Sequence, residues 1–211
     1  MSTTLLLNAG VAVLGGLLVV SGVVAHDRPT WLLEVLPVLI AVPILMATRR
    51  RFPLTGLLYG AIFVHALVLI LGGTYTYARV PLGFWMAEWL DLQRNPYDKI
   101  GHFFQGFVPA LVAREILVRG AYIRGQRMLA FLVVCVVLAI SATYELIEWG
   151  VAVAIGQDAD AFLGTQGDPW DTQSDMAMAL IGACVALAGF ARWQDRQMAR
   201  LPATPEHGHA R

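Results

Sequence analysis

The sequence predicts an all-α, polytopic integral membrane protein of about six transmembrane helices, with a polar cluster at the outer ends of the fourth, fifth and sixth. The composition excludes an ordinary soluble domain: 57% of the 211 residues are hydrophobic and 14% charged, and the mean hydropathy is +0.62. The apolar residues fall in runs long enough to cross a bilayer, roughly 20 residues each. The arginines collect in short clusters between those runs. Net charge is formally zero, so no nucleic-acid footprint is expected.

The spans are expected at about 5–25, 31–47, 54–77, 99–118, 128–155 and 175–193. The first opens without a positive n-region and exceeds the roughly 7 to 15 apolar residues of a signal peptide, so it reads as an uncleaved helix despite Val23-Val24-Ala25. The second is short and spans with help from its flanks. Between the third and fourth, Trp85-Met-Ala-Glu-Trp-Leu-Asp91 places Trp85, Trp89 and Leu90 on one helical side, with Glu88 and Asp91 toward water. That pattern predicts an interfacial amphipathic helix over about 82–93. Residues 1–200 form one helical membrane domain, and 201–211 a disordered tail. Cys135 and Cys184 sit inside apolar runs and read as small buried side chains.

Orientation follows from the arginines, because positive residues are retained in the cytoplasm. Arg49 to Arg51, then Arg119, Arg124 and Arg127, then Arg192, Arg196 and Arg200 follow the even-numbered spans. With six spans, all three clusters share the cytoplasmic side with both termini. The other side receives Arg28, Arg79, Arg94 and Lys99, and its last loop, 156–174, has no basic residue. That loop faces outward.

Ionisable groups inside spans are costly and point to function or pairing. Asp98 and His102, at i and i+4, share one face at the start of span four, with Gln105 a turn deeper. Glu145 and Glu148, at i and i+3, share a face in the outer half of span five. Asp168, Asp171 and Asp175 stand at the entrance to span six. All three groups lie at outer helix ends and are expected to meet.

Capping accounts for part of this. Asp168-Pro169 reads as an N-cap with proline at N1 and Asp171 at N3; alternatively Thr172 caps and Asp175 takes N3. Asp98 reads equally as the N-cap of span four. Two carboxylates a turn apart repel unless a cation, a proton or a basic partner intervenes. A bridge from Lys99, the one lysine in the chain, to Glu145 or Glu148 is the simplest neutralisation. Elsewhere, His65 reads as a hydrogen-bonded helix contact, Glu115 as a partner of Arg119, Arg114 as snorkelling, and Glu34 as staying wet at the outer interface. Gly72, Gly73 and Gly182-Ala183 suit close helix packing.

Three stretches carry a resemblance: Asn95-Pro-Tyr-Asp-Lys-Ile-Gly-His-Phe-Phe-Gln-Gly106, Thr143-Tyr-Glu-Leu-Ile-Glu-Trp149, and Phe162-Leu-Gly-Thr-Gln-Gly-Asp-Pro-Trp-Asp-Thr-Gln-Ser-Asp-Met176. They resemble the YjdF-type family, which implies a bacterial polytopic inner-membrane protein and no assigned activity. A more distant likeness is to VanZ-like membrane proteins. Asp98, Lys99 and His102 match the Asp-Lys-x-x-His start of one helix, Glu145 or Glu148 the glutamate of the next, and Asp175 with Gly182 a third entrance in which Ala179 replaces an asparagine.

Carboxylates, one imidazole and no nearby thiol suit a hard or borderline divalent ion such as Mg, Mn, Ca or Zn. The candidate ligands are Asp98, His102, Asp168, Asp171 and Asp175, and the candidate catalytic groups Glu145, Glu148 and Lys99. In an enzyme, a metal held there assists hydrolysis or group transfer on a lipid-linked or envelope substrate, with a remaining carboxylate as general base. The 164–167 loop then lets a head group approach the backbone at the entrance to span six. The alternatives are a proton- or ion-linked transporter, for which no repeat is visible, and a non-catalytic structural protein whose cluster locks helices together. Membrane lipid is the one partner the sequence implies directly.

Overall fold

The structure is a computed structural model that describes residues 3–155 and 166–202. Most of the expected tail, 203–211, and residues 156–165 of the loop expected to face outward, including Gly164, lie outside the described residues.

Apolar runs in lipid must satisfy their backbone internally, and every element is accordingly helical. In chain order these are α1 (Thr3–Val24), α2 (Arg28–Thr48), α3 (Gly56–Tyr75), the short α4 (Pro81–Leu90), α5 (Tyr97–Arg119), α6 (Gln126–Ile155), α7 (Asp171–Val185) and α8 (Ala191–Met198). A single π-helical turn, Ala186–Phe190, joins the last two into one rod. Among the described residues, five helices are long and apolar enough to cross a membrane: α1, α2, α3, α6 and the α7–α8 rod. The remaining long helix, α5, has 23 residues. Its ends carry charge: Asp98 and Lys99 at one, Arg114, Glu115 and Arg119 at the other.

Local signals set the helix ends. The carboxylate of Asp27 accepts a hydrogen bond from Thr30 N at 2.8 Å and caps α2, with proline in the first turn. The Thr55 hydroxyl accepts from Leu58 N and caps α3, which stops where Thr76 turns left-handed at φ 56°. Helix α4 stops in the same way at Asp91, φ 53°. Trp85 and Trp89 stand 70% and 85% exposed on it, as side chains bound for an interface do.

Two cores hold the bundle. One joins α1, α2 and α3 to the start of α5 through Leu14, Val35, Leu69, Tyr77 and Tyr97. The other joins α3, α5, α6 and α7 through Leu58, Phe107, Leu111, Val133 and Ala183. Helices α5 and α7 touch backbone to backbone: a Cβ on Gly106 would run into the carbonyl of Ala179, and one on Gly182 into that of Phe103. Small residues make this approach available. By contrast Cys135 and Cys184, expected to be buried, are free thiols exposed on the helix surface.

Helix directions bring the three arginine clusters to one end of the bundle, where Arg49 also donates to Asn8 of α1. The starts of α5 and α7 and the end of α6 share the opposite end. Asp98 and Glu115 are 17 positions apart on α5, or about 25 Å at 1.5 Å per residue, close to the hydrocarbon thickness of a bilayer. Between these polar layers lies a band of rings, with Phe103 against Phe104, Phe104 against Phe107, and Phe107 against Phe190 at 5.0 Å.

Candidate functional site

Two loops are clasped before the site begins. Asn95 N donates to Gln166 Oε1 and Gln166 Nε2 donates back to Asn95 O, both at 3.0 Å. The Asn95 side chain, 2% exposed, also donates to Val80 O and accepts from Tyr97 N. The entrances of α5 and α7 are thereby fixed side by side.

Helix α7 begins at Asp171, and its cap residue, Trp170, makes no side-chain capping bond. The expected cap at Asp168 or Thr172 is therefore corrected. Asp168 instead accepts from Trp170 N at 2.9 Å, tightening the turn ahead of the helix, and pairs with Arg94 at 2.9 Å. Asp171 and Asp175 sit at the first and fifth positions of the helix, one above the other on the face toward α5. Helix α5 starts one residue before Asp98, with Pro96 as its cap residue, so Asp98 is not the cap either.

Lys99 does not bridge to Glu145 or Glu148. Its Nζ lies 2.9 Å from Asp171 Oδ1 and 2.5 Å from Asp175 Oδ1, with Asp98 Oδ2 at 3.6 Å. Arg94 adds a second cation at 2.8 Å from Asp171. The aspartates of α7 are nearest to these groups, so they take both cations and leave the α6 glutamates outside the pairing.

His102 lies beneath this layer, 7% exposed. Its Nδ1 is 3.1 Å from Gln105 Oε1 and 3.9 Å from Glu145 Oε1. Its Nε2 is 3.3 Å from Asp98 Oδ1 and 3.7 Å from Asp175 Oδ1. If Nδ1 donates to Gln105, the Nε2 lone pair converges with two carboxylate oxygens. Three electron-rich atoms then gather beside the Lys99 ammonium, which already reaches Asp175 Oδ1 at 2.5 Å, and a proton on His102 or a metal cation would complete their neutralisation. Ligand atoms of Asp98, His102 and Asp175 lie within 4.8 Å of one another. Asp168 and Asp171 do not join that set; their carboxylates are turned to Arg94 and Lys99. Glu145 is buried beside His102, and its Oε1 has no hydrogen-bond partner.

Glu148 points elsewhere. With Glu34 and Tyr144 it lines a crevice of about 40 Å³ between α2 and α6, walled by Leu33, Leu36 and Ile147. Glu34, expected to remain in water, is half-buried there, and the Tyr144 hydroxyl donates to Leu33 O at 3.3 Å. His65 stacks on Phe104, and its Nε2 lacks the expected hydrogen bond.

A second polar layer, at the arginine end, went unread in the sequence. Glu115 is fully buried. It accepts from Thr55 N at 2.9 Å, Thr55 Oγ1 at 2.7 Å, and Gln194 Nε2 and Arg119 at 3.2 Å. The Arg119 pairing is the one expected. Arg114 does not snorkel; it is 2% exposed and pairs with Asp195 at 2.7 Å and with Gln194. The π turn before α8 widens the helix and changes the rotation at which Gln194 faces α5, which no apolar period records.

Comparison with known proteins agrees with a membrane protein. No solved structure matches the chain. The chain is similar to the inner membrane protein YjdF of Escherichia coli (strain K12), 63% identical over 197 residues, which cover 93% of this chain and 94% of that protein. The family described as "Predicted membrane protein (DUF2238)" matches residues 6–196, and the chain belongs to this family of membrane proteins.

Proposed function

We propose that the cluster at the starts of α5 and α7 is an outward-facing divalent-cation site in a bacterial inner-membrane protein, serving hydrolysis or group transfer on a lipid-linked or envelope substrate. The observation that carries the reading is the convergence of His102 Nε2, Asp98 Oδ1 and Asp175 Oδ1. One imidazole and two carboxylates suit Mn or Zn better than an all-oxygen site would, while Mg and Ca remain compatible. Bound there, the ion would polarise a phosphoryl or carbonyl oxygen. Glu145, buried with an unpartnered oxygen beside His102, is placed to take a proton. Lys99 and Arg94 neutralise Asp171 and Asp168 and hold the entrance of α7 against α5. The crevice between α2 and α6 has apolar walls, and Leu36 and Ile147 are open to the bundle surface. The phenylalanine band between the two polar layers weighs against a transport path.

One observation favours a second reading. Lys99 Nζ already stands 2.5 Å from Asp175 Oδ1, so a protonated His102 would complete a purely internal charge lock between helices. Elemental mass spectrometry of the detergent-purified full chain, after exposure to Mg, Mn, Ca and Zn, separates the two. Near-stoichiometric metal that is lost in His102→Ala and in Asp175→Asn supports the cation site. No retained metal under any loading leaves the lock.

A further inference from the structure

The arginine end of the bundle holds a cavity of about 460 Å³ where α8 passes the start of α3. Its walls include Gly56 from α3, Trp193, Arg196 and Gln197 from α8, and Arg200 from the turn after α8. Gln197 Oε1 accepts from Leu57 N at 2.9 Å, which fastens the two helices at the cavity floor.

Arg196 in the last turn of α8 and Arg200 in the turn that follows both line this space, and both are exposed. Neither makes an ion pair among the described residues. The nearby acids are already engaged: Asp195 is held by Arg114 at 2.7 Å, and Glu115 is buried with four donors around it. Two cations therefore face a space that has no described carboxylate available to them. The ligand that fits is an anion.

The position narrows its source. The cavity lies in the plane of the helix ends, about 25 Å along α5 from Asp98 by helix rise, where head groups meet the hydrocarbon. Trp193, 51% exposed, is the kind of amphipathic ring found at that depth. The arginine clusters mark this end as cytoplasmic, the leaflet in which basic pockets between helices recruit anionic head groups. We propose that this cavity binds the phosphate of an anionic phospholipid head group, with Arg196 and Arg200 as its ligands and Trp193 flanking the acyl side.

Native mass spectrometry of the full chain, released from detergent with added phosphatidylglycerol, phosphatidylethanolamine or inorganic phosphate, tests this. Arg196→Gln/Arg200→Gln is compared with Arg124→Gln/Arg127→Gln, which removes the same charge from the same end but outside the cavity. The expected result is retained phosphatidylglycerol on the wild type, reduced about tenfold or more in the cavity pair and little changed in the control pair. Equal loss in both pairs means unspecific surface attraction and overturns the site. So does equal retention in all three proteins, or retention of phosphatidylethanolamine at the same level. Saturable binding of inorganic phosphate that excludes phosphatidylglycerol overturns the lipid assignment. Should the double variant lose its monodisperse elution, Arg196→Gln alone is read in the same way.

Discussion

Replacing Lys99 by methionine removes one ammonium and little volume, and the structure says where the cost falls. Asp171 retains Arg94 at 2.8 Å. Asp175, whose side chain is only 4% exposed, loses its closest cation and is left facing Asp98 and His102. Breaking a buried pair from one side costs about 3–5 kcal/mol, because the other charge stays buried. At about 2–4 °C per kcal/mol for a chain of this size, the midpoint in detergent should fall by about 6–20 °C. Intrinsic tryptophan fluorescence during a thermal ramp reads the change. Adding Asp175→Asn to Lys99→Met removes the stranded charge, so the double variant should recover more than half of the loss. If a cation site lies beside Asp175, millimolar Mn should also partly rescue Lys99→Met and leave the double variant unmoved. A Lys99→Met midpoint within about 2 °C of wild type, or no recovery on adding Asp175→Asn, would refute the pairing described here.

Other perturbations test other joints. Gly106→Ala inserts a Cβ against the Ala179 carbonyl and should cost about 1–3 kcal/mol or more by forcing α5 from α7; Gly150→Ala, where the added carbon meets nothing within 4 Å, is the neutral comparison in the same thermal ramp. Glu115→Leu strands Thr55 N–H and Thr55 Oγ1–H and takes the carboxylate from Arg119, which keeps Pro53 O and the Phe52 ring, and should destabilise by about 3–5 kcal/mol, whereas Glu115→Gln retains an acceptor and should lose less. The Thr30 hydrogen bonds hold the Asp27 carboxyl below its ordinary value of 3.8. A depressed folded value means the cap stabilises fully above that pH and is lost as pH falls through the folded value. Protection of the amides at the start of α2, measured against the unstructured exchange rate at each pH, should therefore fall on acidification below about pH 4 in wild type, but not in Asp27→Ala.

The all-helical membrane architecture was legible because hydropathy is a local property, and 20-residue apolar runs admit few alternatives in lipid. The spacing of Asp98 and His102 was equally readable, since i and i+4 share a face whatever surrounds the helix. The partners of Lys99 were not readable. Whether it turns to α6 or α7 depends on how closely those helices approach α5, which Gly106 and Gly182 decide through backbone contact. Arg94 looked like a topological charge because its partner Asp168 is 74 residues away in sequence, brought beside it with the Asn95–Gln166 clasp. Glu115 and Arg114 were visible as charges, but the layer they build with Thr55 and Gln194 depends on the π turn at 186–190, and no side-chain pattern announces a π turn. The separation of Glu148 from Glu145 has the same origin. Two side chains at i and i+3 diverge by about 60° around the helix, enough to send one toward His102 and the other toward Glu34.

In the proposed site, His102 Nε2, with Asp98 and Asp175, would hold a divalent ion. Pulsed electron paramagnetic resonance of the Mn-loaded, detergent-purified chain addresses that bond itself. The expected spectrum shows bound Mn coupled to a single imidazole nitrogen, a coupling that disappears in His102→Ala. Bound Mn without nitrogen coupling, or no bound Mn at saturating concentration, would contradict the claim and leave the cluster as a lock between helices.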